Sequence, residues 1–252
     1  MPLTFHYLCL INFSVNMKVA IIGYGKMGRE IERVLLERGH SISVVIDEGG
    51  DIDARSLAEA DVAMEFSTPV TAFDNVRSCF EAGVPVVCGT TGWQDRIREV
   101  RDICERLGGT FFYSSNFSIG VNVFFAVNER LAELMNNFPQ YEISMRETHH
   151  IHKKDTPSGT AVTLAEGILG KVDRKLSWVN HPTLESGVLG IESVREGEVF
   201  GIHEIKYESD TDSIELVHTS KNRRGLALGA VLAAEYALTH KGVLSMKDLL
   251  KI

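Results

Sequence analysis

Scarcity narrows the class of this chain first. Four cysteines, at 9, 79, 88 and 104, lie far apart with no CxxC pair, a spacing that fits reduced thiols in a cytoplasmic protein, and none is a candidate nucleophile. No HExxH and no Cys/His ligand spacing occurs, which excludes the common zinc motifs. Positive charge is in deficit: 26 Lys and Arg against 34 Asp and Glu leave a formal net charge of -8. That balance argues against nucleic acid or an anionic membrane as the main partner, so any bound anion has to be met by a local basic pocket. There is no transmembrane run, internal repeat or low-complexity tract. Residues 1–16 are apolar but have neither a basic n-region nor a small-residue cleavage site, and so are not expected to act as a signal peptide. Because Met17-Lys18 opens a well-formed strand, residues 1–16 are expected to be an N-terminal extension.

What is present is the make-up of a globular protein, 44% hydrophobic and 24% charged over 252 residues, enough for one large domain or two modest ones. From Met17 the pattern is regular. The apolar strand Lys18 to Ile22 leads into Gly23-Tyr24-Gly25-Lys26-Met27-Gly28, and Ile31, Val34 and Leu35 then repeat at helical spacing. A second strand, Ile42 to Ile46, ends in Asp47. A GxGxxG between strand and helix, with an acid nineteen positions after Gly28 at a strand end, is the context the dinucleotide fingerprint requires. The glycines permit the tight turn and the approach of a pyrophosphate, and Asp47 can accept bonds from a ribose. The alternation continues with strand 62–66, a helix from about 70 to 81, strand 84–88, a helix over 93–107 and strand 110–114. This is an α/β, Rossmann-like doubly wound parallel sheet, whose ligands sit at the strands' carboxyl ends, making Thr90 and Thr91 candidate cofactor contacts or simple helix caps.

After Gly120 the pattern changes to a long helix, a strand over 142–148, a basic loop, a helix after Pro157, and three strand-like runs at 188–195, 198–207 and 213–219. Helix plus mixed sheet predicts a second α+β domain. One face of this sheet is expected to pack on another subunit. The apolar helix from Arg224 is expected to return to the first domain. The division is thus 17–118 plus 223–252 for dinucleotide binding, and 119–222 for substrate binding and oligomerisation.

The chemistry gathers in Glu147-Thr-His149-His150-Ile-His152-Lys153-Lys154-Asp155-Thr156-Pro157-Ser158-Gly159-Thr160-Ala161. Thr156 can cap a helix with Pro157 at its first position, leaving the N–H groups of Ser158, Gly159 and Thr160 to hold an anion. Lys153 adds a full charge, and the imidazoles offer proton transfer near neutral pH. Taken alone, His149, His150 and His152 with Asp155 could instead be a metal site, although adjacent histidines on a strand point to opposite faces, or a solvated surface beside an ordinary cap.

This segment resembles the signature of the 4-hydroxy-tetrahydrodipicolinate reductase (dihydrodipicolinate reductase) family, and the likeness runs from Met17 to the C-terminus. It includes Gly-Tyr-Gly-Lys-Met-Gly at 23–28, Phe-Ser-Thr-Pro at 66–69, Ala-Gly-Val-Pro-Val-Val-Cys-Gly-Thr-Thr-Gly at 82–92, Asn-Phe-Ser-Ile-Gly-Val-Asn at 116–122 and the terminal Met-Lys-Asp-Leu-Leu. The resemblance implies an oxidoreductase of lysine and diaminopimelate biosynthesis that reduces a small cyclic dicarboxylate with NADH or NADPH. It implies His149 as general acid/base and Lys153 as proton donor, with His150, Ser158, Gly159 and Thr160 on the substrate and no metal. Cofactor contacts are implied at Gly23, Tyr24, Gly25, Lys26, Met27, Gly28, Asp47, Gly89, Thr90, Thr91, Ser114, Ser115, Asn116 and Phe117, and the assembly as a homotetramer. The segment between Asp47 and Asp61 is shorter than in many relatives. Asp47 followed by Glu48 favours NADH, whereas Lys26 could meet a 2′-phosphate, so dual use with NADH slightly preferred is expected.

Two other classes stay open on the residues. A dehydrogenase for another small anionic substrate would not be expected to carry Pro-Ser-Gly-Thr beside paired histidines. A non-catalytic NAD(H)-sensing protein acting on DNA would normally carry a basic segment, and none is visible.

Overall fold

The computed structural model describes residues 16–50 and 52–252; the expected extension lies outside them except for its last residue. Contacts group the chain into two compact units, one running to Tyr113 and taking in Val231–Leu244, the other Ser114–Ala230 with Ser245–Ile252. The sequence pattern places the divisions at 118/119 and 222/223 and gives the C-terminus wholly to the first domain.

The first unit alternates β1 (Lys18–Ile22), α1 (Lys26–Glu37), β2 (Ser41–Ile46), β3 (Val62–Glu65), α2 (Ala72–Glu81), β4 (Val86–Cys88), α3 (Ile97–Leu107) and β5 (Thr110–Tyr113). A sixth strand, β11 (Gly242–Leu244), completes a sheet in the order β11-β5-β4-β3-β1-β2. Every pairing is parallel. Strands flanked on both faces by helices have no solvated side, which is why β1 reads as an unbroken apolar run and is buried from Val19 to Ile22. Its fully buried Ile21 is worth about 1.5–3 kcal/mol of transfer free energy. The order reverses beside β1, with β2 on one side and β3 on the other, and a crevice opens at such a switch point. Boundaries shift by a residue or two from the sequence pattern. Pro85 has no N–H to donate, so the β4 ladder starts at Val86, and a 3-10 turn at Gln94–Arg96 precedes α3.

The second unit holds α4 (Ile119–Met135), β6 (Glu142–His149), α5 (Gly159–Leu169), β7 (Ser177–Val179), β8 (Val188–Arg195), β9 (Ile202–Glu208), β10 (Ser213–Thr219) and α7 (Met246–Leu250). Helix α6 (Arg224–Thr239) is divided between the units. The five-stranded sheet runs β10-β9-β6-β8-β7, antiparallel through β10, β9 and β6 and parallel from β6 to β7, the mixed sheet expected. Strand β6 alternates, burying Ile143, Met145, Glu147 and His149 on one face. Ile143 and Met145 pack there with Phe124, Ala161, Leu164, Ala165 and Ile168 of α4 and α5. The same face therefore changes from apolar to polar at the carboxyl end of β6. Strand β9 starts at Ile202 rather than 198, because the chain turns after β8, with Val199 N–H donating to the Glu196 carbonyl at 3.3 Å. Among the described residues no helix is long and apolar enough to cross a membrane.

Candidate active site

The glycine loop lines a crevice of about 310 Å³ in the first unit, together with Asp47 to Gly50 and the loop after β3. Gly23 has φ +89°, and an added Cβ would run into the Phe66 backbone; at Gly28 it would run into the Gly23 carbonyl. At Gly25 a Cβ would meet nothing within 4 Å, so that side is open for a ligand against the N-terminus of α1. No side chain caps that helix end and no acid lies in its first turn. A dinucleotide pyrophosphate fits this cradle, with free N–H groups and the positive end of the helix dipole facing it. Asp47 is exposed and accepts a hydrogen bond from Tyr24 N–H through one oxygen at 3.1 Å, which fixes the carboxylate at the crevice rim. Tyr24 is tied to Glu32, Lys26 is exposed and Met27 is half-buried.

The other expected cofactor residues divide by what their side chains do. Gly89 packs under the Phe66 ring, where a Cβ could not fit. The Thr90 hydroxyl accepts from Ser67 N–H at 2.9 Å, joining two strand-end loops, while Thr91 is exposed. Ser114, Ser115, Asn116 and Phe117 open the second unit. Ser114 donates to the Asn116 carbonyl, Asn116 Oδ1 accepts from Ser118 N–H, and Phe117 is buried, leaving Ser115 exposed.

The basic loop lies beside a cavity of about 470 Å³ in the second unit, whose walls include His149, His150, Lys153, Thr160, His203 and Arg223. Helix α5 begins at Gly159, and Ser158 is its cap, its hydroxyl accepting from Ala161 N–H at 3.2 Å. The expected cap, Thr156, instead accepts from Asn180, and Pro157 precedes the helix. Ser158 wins because its N–H also donates to Glu147 at 3.0 Å, anchoring the helix end to β6. Of the three N–H groups expected to be unshielded, that one is engaged; Gly159 and Thr160 occupy the first two helical positions, whose N–H groups have no partner within the helix. Lys153 Nζ stands 2.9 Å from Asp155.

Strand register builds the rest. Glu147 is opposite Ser193 on β8 and His203 on β9, His203 is opposite His218 on β10, and Arg195 is opposite His149. Four strands thus deliver one polar row. The Glu147 carboxylate is fully buried, with one oxygen taking Ser158 N–H, Ser193 Oγ at 2.9 Å and Arg195 Nη2 at 3.2 Å. Its other oxygen faces His149 Nδ1 at 3.3 Å and His203 Nε2 at 3.8 Å. Burial pushes the Glu147 carboxyl up, but hydrogen bonds from His149, Ser158 and Ser193 outweigh it and hold the group well below the usual carboxylate range. Burial, then the neighbouring His149, pushes His203 down to about 4, against the pull of Glu147. Burial also lowers His218.

The three histidines of the loop are therefore separated. His149 joins Glu147 and His203 in a cluster whose ligand atoms all lie within 4.8 Å, His150 lines the cavity, and His152 is exposed beside Glu198. The alternative metal set of His149, His150, His152 and Asp155 is not brought together. In the cluster that does form, the Arg195 guanidinium already balances the carboxylate. Glu147, Arg195, His203, His218 and Arg223 escaped the sequence reasoning; only the Glu147-x-His149 spacing, two residues on a strand and hence one face, could have signalled any of them.

Family models of dihydrodipicolinate reductase match the chain almost throughout, the N-terminal model over residues 17–117 and the C-terminal model over 120–250. A 4-hydroxy-tetrahydrodipicolinate reductase of Christiangramia forsetii is 44% identical over 236 residues, covering 93% of this chain and 98% of that one. One from Neisseria gonorrhoeae is 30% identical over 268 residues, with 94% and 98% covered. In fold, the chain is similar to a dipicolinate-bound dihydrodipicolinate reductase from Paenisporosarcina sp. TG-14, with a TM-score of 0.74 at 23% identity over 93% of this chain and 99% of that one.

Proposed function

The chain belongs to the dihydrodipicolinate reductase family, and from that premise we propose that it reduces 4-hydroxy-tetrahydrodipicolinate to tetrahydrodipicolinate with NADH or NADPH, in lysine and diaminopimelate biosynthesis. It is an oxidoreductase, which sets aside a non-catalytic sensor. The observation that carries the proposal is the cavity at His149. In a chain of net charge -8, it gathers Lys153, Arg223, Thr160 from the start of α5 and buried imidazoles, the donor set that a cyclic dicarboxylate requires.

In balance, a hydride and a proton are added to the substrate, water leaves, and NAD(P)H becomes NAD(P)+. The nicotinamide, when bound, supplies the hydride. Gly159 N–H, Thr160 N–H and Lys153 hold the carboxylates, with His150 beside them, and so orient the ring. His149 delivers the proton to the position next to the one that takes the hydride, and Lys153 is the second proton donor. The glycine loop and Asp47 hold the dinucleotide, with NADH preferred over NADPH by about tenfold or less.

We further assign the protein to the cytoplasm, in keeping with the free and buried thiols of Cys79, Cys88 and Cys104. A homotetramer is supported by the outer face of the second sheet, where Val217 stands 54% exposed among Arg146, Glu204 and Lys206. The test is oxidation of NADH and NADPH with freshly generated substrate, run beside light scattering of the same sample. Turnover with that substrate and a mass of four chains are expected. Robust turnover of a sugar or amino acid, with none of this substrate, would overturn the activity, and a monomer mass would overturn the assembly.

A further inference from the structure

Glu147 is held more tightly than an ion pair with Arg195 alone would require. Three donors from two segments, Ser158 N–H at the start of α5 and Ser193 Oγ and Arg195 Nη2 on β8, converge on one oxygen. The carboxylate cannot rotate without breaking all three. Its second oxygen is thereby left 3.3 Å from His149 Nδ1, on the same face of the same strand, and both of these buried atoms lack any other hydrogen-bond partner. On the far side of the imidazole, Nε2 lies against Gly201, which is part of the cavity wall. A Cβ at residue 201 would stand 3.0 Å from Nε2, and the φ of +154° there suits glycine. Space is thus kept open at the nitrogen that faces the cavity, while the other nitrogen faces a fixed anion.

We propose that Glu147 is the positioning residue for the acid–base step: it orients His149, commits Nδ1 to carrying a proton towards the carboxylate, and so makes Nε2 the atom that exchanges a proton with substrate. The inference rests on the reductase reading above and deepens it. Charged and titratable groups face His149 from every neighbouring element. They are Glu147 on β6, Arg195 on β8, His203 on β9 with ring centroids 5.1 Å away, His218 beyond it on β10, and Lys153 in the loop that follows β6. Among these five groups Glu147 is the acid.

Glu147→Gln separates this role from a structural one, because the amide oxygen can still accept all three donors while the amide nitrogen presents N–H to His149 Nδ1. The ring should then flip its neutral tautomer to Nε2–H. In steady state, kcat should fall by about tenfold or more, as part of the contribution of a general acid. KM for the dicarboxylate should not rise, since a negative charge has been removed. A parent-like kcat, or a loss carried by KM, overturns the proposal. Nitrogen-15 shifts of the His149 ring in the ligand-free parent protein test it without any variant: the Nδ1–H tautomer is expected, and the Nε2–H tautomer overturns it. That measurement needs no turnover, so a parent protein inactive on the substrate would count against the reductase reading and not against the position of Glu147.

Discussion

Lys153 and His149 line one cavity but are held differently, and their loss should be felt differently. Lys153 is half-buried and reaches Asp155 at 2.9 Å, so its ammonium can turn to a substrate carboxylate as a point charge. His149 is buried, with its ring fixed between Glu147 and Gly201. Lys153→Ala should therefore lower kcat and raise KM together, the KM by about tenfold if one charged contact of roughly 1.4 kcal/mol is lost. His149→Ala should act chiefly on kcat, by about a hundredfold or more. Neither should change the dissociation constant of NADH, measured by fluorescence titration; equal loss of NADH binding in both would mean that the loop touches the nucleotide or is structural. At this scale the motif from 149 to 160 was legible because its residues are local. Glu147 was not, since what makes it a positioning group comes from Ser193 and Arg195, 46 and 48 residues on. A lone acid at the end of an alternating strand carries no mark of such partners.

Among the elements, the β1–α1 loop and the end of β2 are where the proposed cofactor preference is tested. Asp47 is pinned by Tyr24 N–H at the crevice rim, where it can accept from both ribose hydroxyls and repel a 2′-phosphate. Glu48 beside it adds the same sign, and exposed Lys26 opposes them. Asp47→Ala should raise kcat/KM for NADPH relative to NADH by about tenfold. Added salt should weaken NADPH more than NADH, because an exposed lysine is screened within about 10 Å at 0.1 M. Steady-state kinetics with both cofactors at two salt concentrations decide this; a strong NADPH preference in the parent, unchanged by the substitution, would place the specificity in other residues. Element identity was legible in the first unit wherever apolar period and glycine agreed. The start of α5 was misplaced because Thr156-Pro157 has the form of a capped start, and only the bond from Ser158 N–H to Glu147 shows which residue the tertiary structure uses. The three-residue strands β7 and β11 carry no periodicity to detect.

For the whole molecule, the two fold classes followed from the change of pattern after Gly120, while the division within α6 did not, as a continuous apolar helix gives no sign of where its contacts change. The polar row at the end of the second sheet has a consequence for stability. His203 is 4% exposed, and burial together with the neighbouring His149 lowers it to about 4 from an ordinary 6.5. Between those values the unfolded chain binds a proton that the native chain does not, so stability falls as pH falls through this window. Glu147 acts in the same direction at lower pH: held below its ordinary 4.5, it loses its stabilising contribution only on acidification past that value. A drop from pH 7 to pH 4.5 therefore tests His203 largely apart from Glu147. His203→Gln replaces the titrating ring by a neutral group, and the acid-induced loss of stability across that interval should shrink by on the order of 2 kcal/mol. Thermal melts of parent and variant at matched ionic strength read this directly as a smaller fall in Tm for the variant. Parallel curves for the two proteins would show that His203 titrates alike in the folded and unfolded chain, and that the buried row does not hold it neutral.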